Sequence, residues 1–237
     1  MMMFFDPLYL LIVGPALLLS IVAQFWVKGA FNKYAQVPTV RGLSGAQVAQ
    51  HIVNRAGLGV RVERVSGFLS DHYDPTARVL RLSPDVYDGI TVSAVGVAAH
   101  EAGHALQHAQ GYLPLQWRSA LVPVTKFGST LAWPLLMIGF LLQGMSMVGP
   151  ADLFVKIGIL LFSGAVLFQI VTLPVEFDAS RRAVQLVTAE GIVTREEADG
   201  VKRVLNAAAM TYIAAAAAAV AQLLYFLLRA GMLRRDE

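Results

Sequence analysis

The sequence predicts an α-helical membrane protein, with about four transmembrane helices and a small α+β domain. Three observations predict it. Of the 237 residues, 56% are hydrophobic and only 15% are charged, whereas about a quarter of a soluble domain is charged. Four stretches approach or exceed the roughly 20 apolar residues that cross a hydrocarbon core as a helix. Residues 28–126, by contrast, carry turn and polar residues spaced as in a folded domain. Such apolarity also excludes a disordered chain, which would combine low hydrophobicity with high charge.

Taken in chain order, residues 1–27 are expected to form a transmembrane anchor. Leu8 to Val27 contains no charge; it lacks a basic leader and exceeds the apolar core of a secretory signal, so it reads as a retained anchor. Residues 28–126 form the predicted α+β domain. Ser44 with Gln47 makes a capping box, and Val48, Ile52 and Val53 share one helical face up to Gly57. Val60 to Val65 and Arg78 to Leu82 alternate apolar and polar residues around an Asp74-Pro75 turn, which predicts two strands of a small antiparallel sheet. Ser83-Pro84-Asp85 opens a helical turn, and a longer helix is expected from Thr91 to Gln110, closing at Gly111.

Residues 127–175 are read as a transmembrane hairpin, Phe127 to Val148 and Leu153 to Val175, joined by Gly149-Pro150-Ala151-Asp152. Lys156 there can snorkel to the headgroups. Residues 176–206 follow as a polar segment. In it Thr194 and Glu197 form a second capping box, opening a helix that continues into the last span, Ala207 to Met232, within residues 207–237. Alanines 214–219 allow close helix approach.

Lys28, Lys33, Arg41, Arg118, Lys126, Arg181, Arg182, Arg195, Lys202 and Arg203 fall on one side of a four-span chain. The positive-inside rule places that side in the cytoplasm of a multi-pass cell-membrane protein, with Arg229, Arg234 and Arg235 opposing. The net charge of +3 includes no basic run longer than two residues, which argues against nucleic acid as a partner. With no cysteine, His, Asp and Glu remain as strong ligands for a transition metal.

Such ligands stand in His100-Glu101-Ala102-Gly103-His104, an H-E-x-x-H sequence inside the expected long helix. Two histidines four apart lie one above the other on a helix, so both imidazoles can reach one zinc ion. Glu101 lies about 100° round and can take a proton from water activated there. That is the chemistry of peptide-bond hydrolysis, with Glu101 as general base. A catalytic zinc takes three protein ligands. His108 continues the ridge too far along for one tetrahedral ion and reads as a polar neighbour, possible in the second shell. Glu176, bordering an apolar span on the same side, is the favoured third ligand.

These features resemble the YugP-like family of neutral zinc metallopeptidases, through HEAGH, the Glu176-Phe177-Asp178-Ala179-Ser180-Arg181-Arg182 segment, and Ser70-Asp71-His72-Tyr73-Asp74-Pro75 with the RVLRLS that follows. More distantly the chain is similar to the HtpX and CAAX-protease gluzincins. The resemblance implies an HExxH gluzincin-type metalloendopeptidase holding one Zn²⁺, with Glu176 as ligand. In the gluzincins a Glu-x-x-x-Asp pattern supplies an aspartate behind a zinc histidine. Here Ser180 occupies that place and the acid is Asp178, about 200° round the helix from Glu176; both are candidates to stand behind a ligand, or else Asp178 pairs with Arg181 or Arg182. His72, Tyr73, Arg181 and Arg182 are candidates for oxyanion or substrate binding. The 78–82 strand is a candidate for substrate binding by edge addition, or else an interior strand. Expected partners are a membrane-associated peptide or protein substrate, the lipid bilayer, and a regulatory membrane protein. The rival readings are a metal-binding chaperone or assembly subunit without turnover, and a transporter.

Overall fold

The computed structural model describes residues 6–67 and 70–232; Phe68, Leu69 and the opposing arginines Arg234 and Arg235 lie outside them. The chain runs α1 (Pro7–Tyr34), α2 (Gly45–Arg55), β1 (Arg61–Arg64), β2 (His72–Asp74), β3 (Val79–Leu82), α3 (Pro84–Tyr87), α4 (Val92–Ala109), α5 (Leu113–Gly144), α6 (Val148–Ala189) and α7 (Arg195–Arg229). It divides into two compact units. One comprises residues 1–22, 117–172 and 212–237, the other residues 23–116 and 173–211.

The first unit takes in parts of α1, α5, α6 and α7, the four helices among the described residues that are long and apolar enough to cross a membrane. Its core is Tyr9, Val13, Leu136, Val155, Phe162, Tyr225 and Phe226, with Tyr9 and Tyr225 edge to face at 5.0 Å. Glycine lets α5 and α6 close up: a Cβ on Gly158 would stand 2.7 Å from the Leu136 side chain. The turn between these helices is shorter than the sequence suggests. α6 already begins at Val148, so Pro150 lies in its first turn, where the missing N–H costs no helical hydrogen bond.

In the second unit, α2 and α4 share a core of Val48, Ile52, Val53, Val95, Ala98, Ala99 and Ala102 with Leu80, Leu82 and Val201. The Ser44–Gln47 box starts α2, and Thr91 caps α4. At the start of α7, Glu197 accepts from Thr194 N at 2.7 Å and from Val40 N at 2.6 Å, so the second capping box also fastens the 37–41 segment.

The sheet corrects the antiparallel pair expected from sequence. It has three strands in the order β1-β3-β2, and β1 pairs with β3 in parallel. The physical reason is local. Residues His72–Asp74 form a strand of their own, folded back antiparallel onto β3, because Asp74 Oδ1 accepts from Thr76 N and Ala77 N and closes the turn. That hairpin takes one side of β3 and leaves β1 the other, so β3 is interior and substrate cannot add to its edge.

Candidate metal centre

The centre lies wholly within the second unit, at a crossing of α4 and α6. α6 does not stop after its apolar stretch but continues through Pro174 to Ala189. There Glu176, Ala179, Ser180, Ala183 and Val187 form a buried stripe at helical spacing. Opposite it, α4 presents Gly103, where a Cβ would stand 2.8 Å from the Ala179 carbonyl oxygen. No side chain fits there. The backbones therefore approach closely enough for His100 and His104 to meet a carboxylate some seventy residues away.

His100 Nε2 stands 3.3 Å and His104 Nε2 3.7 Å from Glu176 Oε2. The ligand atoms of these three residues all lie within 4.8 Å of one another, the one such His/Asp/Glu group found among the described residues. Zinc bonds of about 2.0–2.1 Å place tetrahedral donors about 3.3–3.4 Å apart; the two histidine–glutamate separations are near that spacing, so the three groups could close on one ion with a small adjustment. Two imidazoles and a carboxylate are also a donor set that zinc accepts. Glu176 is 2% exposed. Burial alone would raise its carboxyl pKa, but hydrogen bonds from His100 and His104 and their charges outweigh it and hold the carboxyl well below the usual range. For His104, burial favours the neutral ring, yet the hydrogen bond to Glu176 and the charges of Glu101 and Glu176 prevail and raise its pKa. The three groups thus form one close cluster.

Each imidazole is held from behind. Ser180 Oγ lies 3.2 Å from His100 Nδ1, so the serine occupies the place where the gluzincin pattern has its aspartate. His104 Nδ1 meets Gln107 Oε1 at 3.0 Å, and Gln107 Nε2 donates to Val175 O and to Asp178 Oδ2, both at 2.9 Å. Gln107 was not singled out from the sequence. Its position three residues after His104, on the same helix face, is the signal that could have found it. Glu101, in α4, is buried beside the pair.

The remaining candidates have other partners. Asp178 pairs with both Arg181 and Arg182, and Arg182 also donates to Gln110 and lies over the Tyr112 ring. The two arginines thus brace the crossing. His108 is not among the three clustered ligands; its Nδ1 lies 2.9 Å from the Tyr73 hydroxyl, tying β2 to α4. His72 is exposed, with Nδ1 2.7 Å from Ser70 O.

A family model described as "Putative neutral zinc metallopeptidase" matches residues 9–231. The chain belongs to this zinc metallopeptidase family. It is also 47% identical over 222 residues to "Putative membrane protease YugP" of Bacillus subtilis (strain 168), an alignment covering 93% of this chain and 96% of that one. No solved structure matches. Membership agrees with the resemblance drawn from HEAGH and the 176–182 segment. It also implies zinc, for which the His100, His104 and Glu176 cluster is the candidate site in this member.

Proposed function

We propose that the protein is a membrane metalloendopeptidase of the HExxH gluzincin type, in which His100, His104 and Glu176 hold one zinc ion and Glu101 is the general base. The observation that carries this reading is the convergence of His100 and His104 from α4 and Glu176 from α6, whose ligand atoms all lie within 4.8 Å of one another. Zinc, when bound, supplies a Lewis acid that polarises the scissile carbonyl and acidifies water. The Glu101 carboxylate takes the proton from the attacking water and returns it to the amine nitrogen as the C–N bond breaks. Ser180 and Gln107 keep the two imidazoles aimed, and the buried Glu176 carboxylate stays ionised against its own desolvation.

The substrate in this reading is a membrane-associated peptide or protein, and the site faces the cytoplasm of the cell membrane. What supports both is α6, whose apolar span leads without a break to Glu176, together with the count of basic residues assigned to that side. Arg229, which opposes the assignment, is paired with Asp6 at 2.9 Å, but the rule counts Lys and Arg rather than net charge, so it still opposes. Of the oxyanion candidates, Tyr73 and His72 lie on β2, an edge of the sheet. A regulatory membrane protein completes the proposal without a surface assigned to it.

Glu101→Gln tests the mechanism. In the purified full chain it should keep the wild-type zinc content and melting temperature and lower hydrolysis of an unstructured membrane-tethered substrate by about 10²–10⁴-fold. Wild-type cleavage by this variant would refute the base assignment, and no cleavage by the wild type itself would favour the assembly-subunit reading.

A further inference from the structure

Along α6, Leu160, Leu167, Ile170, Pro174 and Phe177 are all exposed and recur at intervals of three, four and seven residues, the spacing that lines up one side of a helix. Arg181, four further on, continues that side, and exposed Gln185 and Thr188 follow it. The outward side therefore changes from apolar to polar between Phe177 and Arg181. Glu176 points the other way, inward with Ala179, Ala183 and Val187. At 1.5 Å per residue, the change is complete within about 8 Å of the proposed ligand along the helix axis.

Phe177 is 45% exposed beside that buried carboxylate. In water an exposed phenylalanine forfeits the free energy of burial, whereas against acyl chains it keeps it. The apolar residues before it on that side belong to a helix long and apolar enough to cross a membrane, so what covers them reaches it too. Arg181 suits the next level out, because its apolar stem can lie along lipid while its guanidinium stays among headgroups. Asp178, between the two, is buried and partnered by Gln107, Arg181 and Arg182, so no bare carboxylate is set against lipid. α1 changes in the same way, from exposed Phe25 and Trp26 to exposed Lys28, Asn32 and Lys33. We infer that the α6 side behind Glu176 lies against acyl chains at the edge of the bilayer, which sets the metal centre at the level of the headgroups. On the proposed zinc reading, which this deepens, the bond it cuts is one immediately beside a membrane anchor.

The chain has no cysteine, so a single introduced one carries the only label. Full-length Phe177→Cys, nitroxide-labelled in phosphatidylcholine–phosphatidylglycerol vesicles, is compared with Leu167→Cys and Gln185→Cys for collision with oxygen, which concentrates in acyl chains, and with a water-soluble nickel complex. Position 177 should resemble 167, with the preference reversed by 185. Contact at 177 with the nickel complex alone, or with neither reagent, as a covering protein would give, overturns the inference, and so does a lipid preference that persists at 185. If Phe177→Cys unfolds, Phe177→Trp decides the same point through quenching by lipids brominated on shallow acyl carbons, beyond that of the chain's own three tryptophans. The second measurement is cleavage, in the same vesicles, of an unstructured membrane-anchored peptide whose bond lies next to the anchor or is held off by ten prolines, about 31 Å. The spacer should lower cleavage about 100-fold or more, because a stiff linker that cannot reach the site leaves no effective concentration there. Equal cleavage overturns the substrate assignment. If neither peptide is cut, the metalloprotease reading fails, while the label at 177 still decides where α6 meets the lipid.

Discussion

In the unit built from the long apolar helices, Ser20, Ser129, Thr130, Ser163 and Thr172 each donate to the carbonyl four residues back on their own helix. In the unit that holds the metal centre, Ser93 donates to Phe31 O, Gln107 donates to Asp178, and Glu197 accepts from Val40 N, across 62, 71 and 157 residues of chain. The difference follows from what each unit must do. A helix suited to the bilayer satisfies its hydroxyls locally, because lipid offers no partner, while Asp6, just before α1, is met by Tyr225 and Arg229 of α7; it otherwise packs by shape, through contacts such as Gly158 against Leu136. A catalytic centre needs groups from distant parts of the chain held in fixed directions, which shape alone does not supply.

The strongest way to break this contrast is to remove a long-range group outright. Glu176→Ala takes away one of three proposed ligands, and zinc affinity should fall by more than the roughly 100-fold upper range for changes to the groups that hydrogen-bond a ligand from behind. Equilibrium dialysis with metal analysis checks this, and unchanged affinity would move the third ligand elsewhere. A smaller effect compares the two close helix contacts. Gly103→Ala drives a methyl into the Ala179 backbone, whereas Gly158→Ala drives one against Leu136 Cγ at 2.7 Å, with the Leu136 backbone nitrogen at 3.2 Å. Overpacking costs about 1–3 kcal/mol, so Gly103→Ala should fall near the top of that range in denaturant unfolding and also weaken zinc binding. Gly158→Ala should also cost stability within that range but leave zinc untouched.

Smaller again, Ser93→Ala loses a buried bond of 2.7 Å that joins two elements and should cost about 1 kcal/mol. Ser163→Ala loses only a bond within its own helix and should stay within about 0.5 kcal/mol. Equal losses in the same unfolding assay would erase the distinction. The least effect concerns Asp71, whose carboxylate accepts from Ser83 N and Oγ. Burial pushes its pKa up, and the charge of Glu101 adds to this while the Ser83 bonds oppose it. The folded state then binds the Asp71 proton more readily than the unfolded chain does, so this group makes stability fall as pH rises from the ordinary value near 3.8 through the raised one. Asp71→Asn should therefore gain stability relative to wild type across that window and hold the gain above it, read from unfolding midpoints against pH. A gain that shrinks with rising pH would contradict the sign.

Much of the fold was legible because its signals are local. The apolar stretches marked the four long helices, and Ser44 with Gln47 and Thr194 with Glu197 marked two helix starts by reciprocal bonds that span three residues. Strand pairing was not legible. Alternation places residues on faces but does not say which neighbour a strand takes, and the hairpin at 72–82 decided that. At the centre, the spacing of His100 and His104 was sufficient to propose a pair of ligands. Glu176 could be proposed from its place beside a span, but its meeting with the imidazoles depends on the Gly103–Ala179 approach, and the glycine gives no sign of its partner.

By itself, then, the sequence determined the apolar helices, the H-E-x-x-H pair on α4, and the lack of thiolate ligands. Only the tertiary structure decided that α6 runs on to deliver Glu176, that Ser180 stands behind His100, and that the Gln107 amide faces His104 with its oxygen. Helical periodicity is fixed by bonds between residues three or four apart, so it can be read along the chain. Which groups meet across seventy residues depends on where two backbones pack most closely, and that depends on side chains from both helices at once.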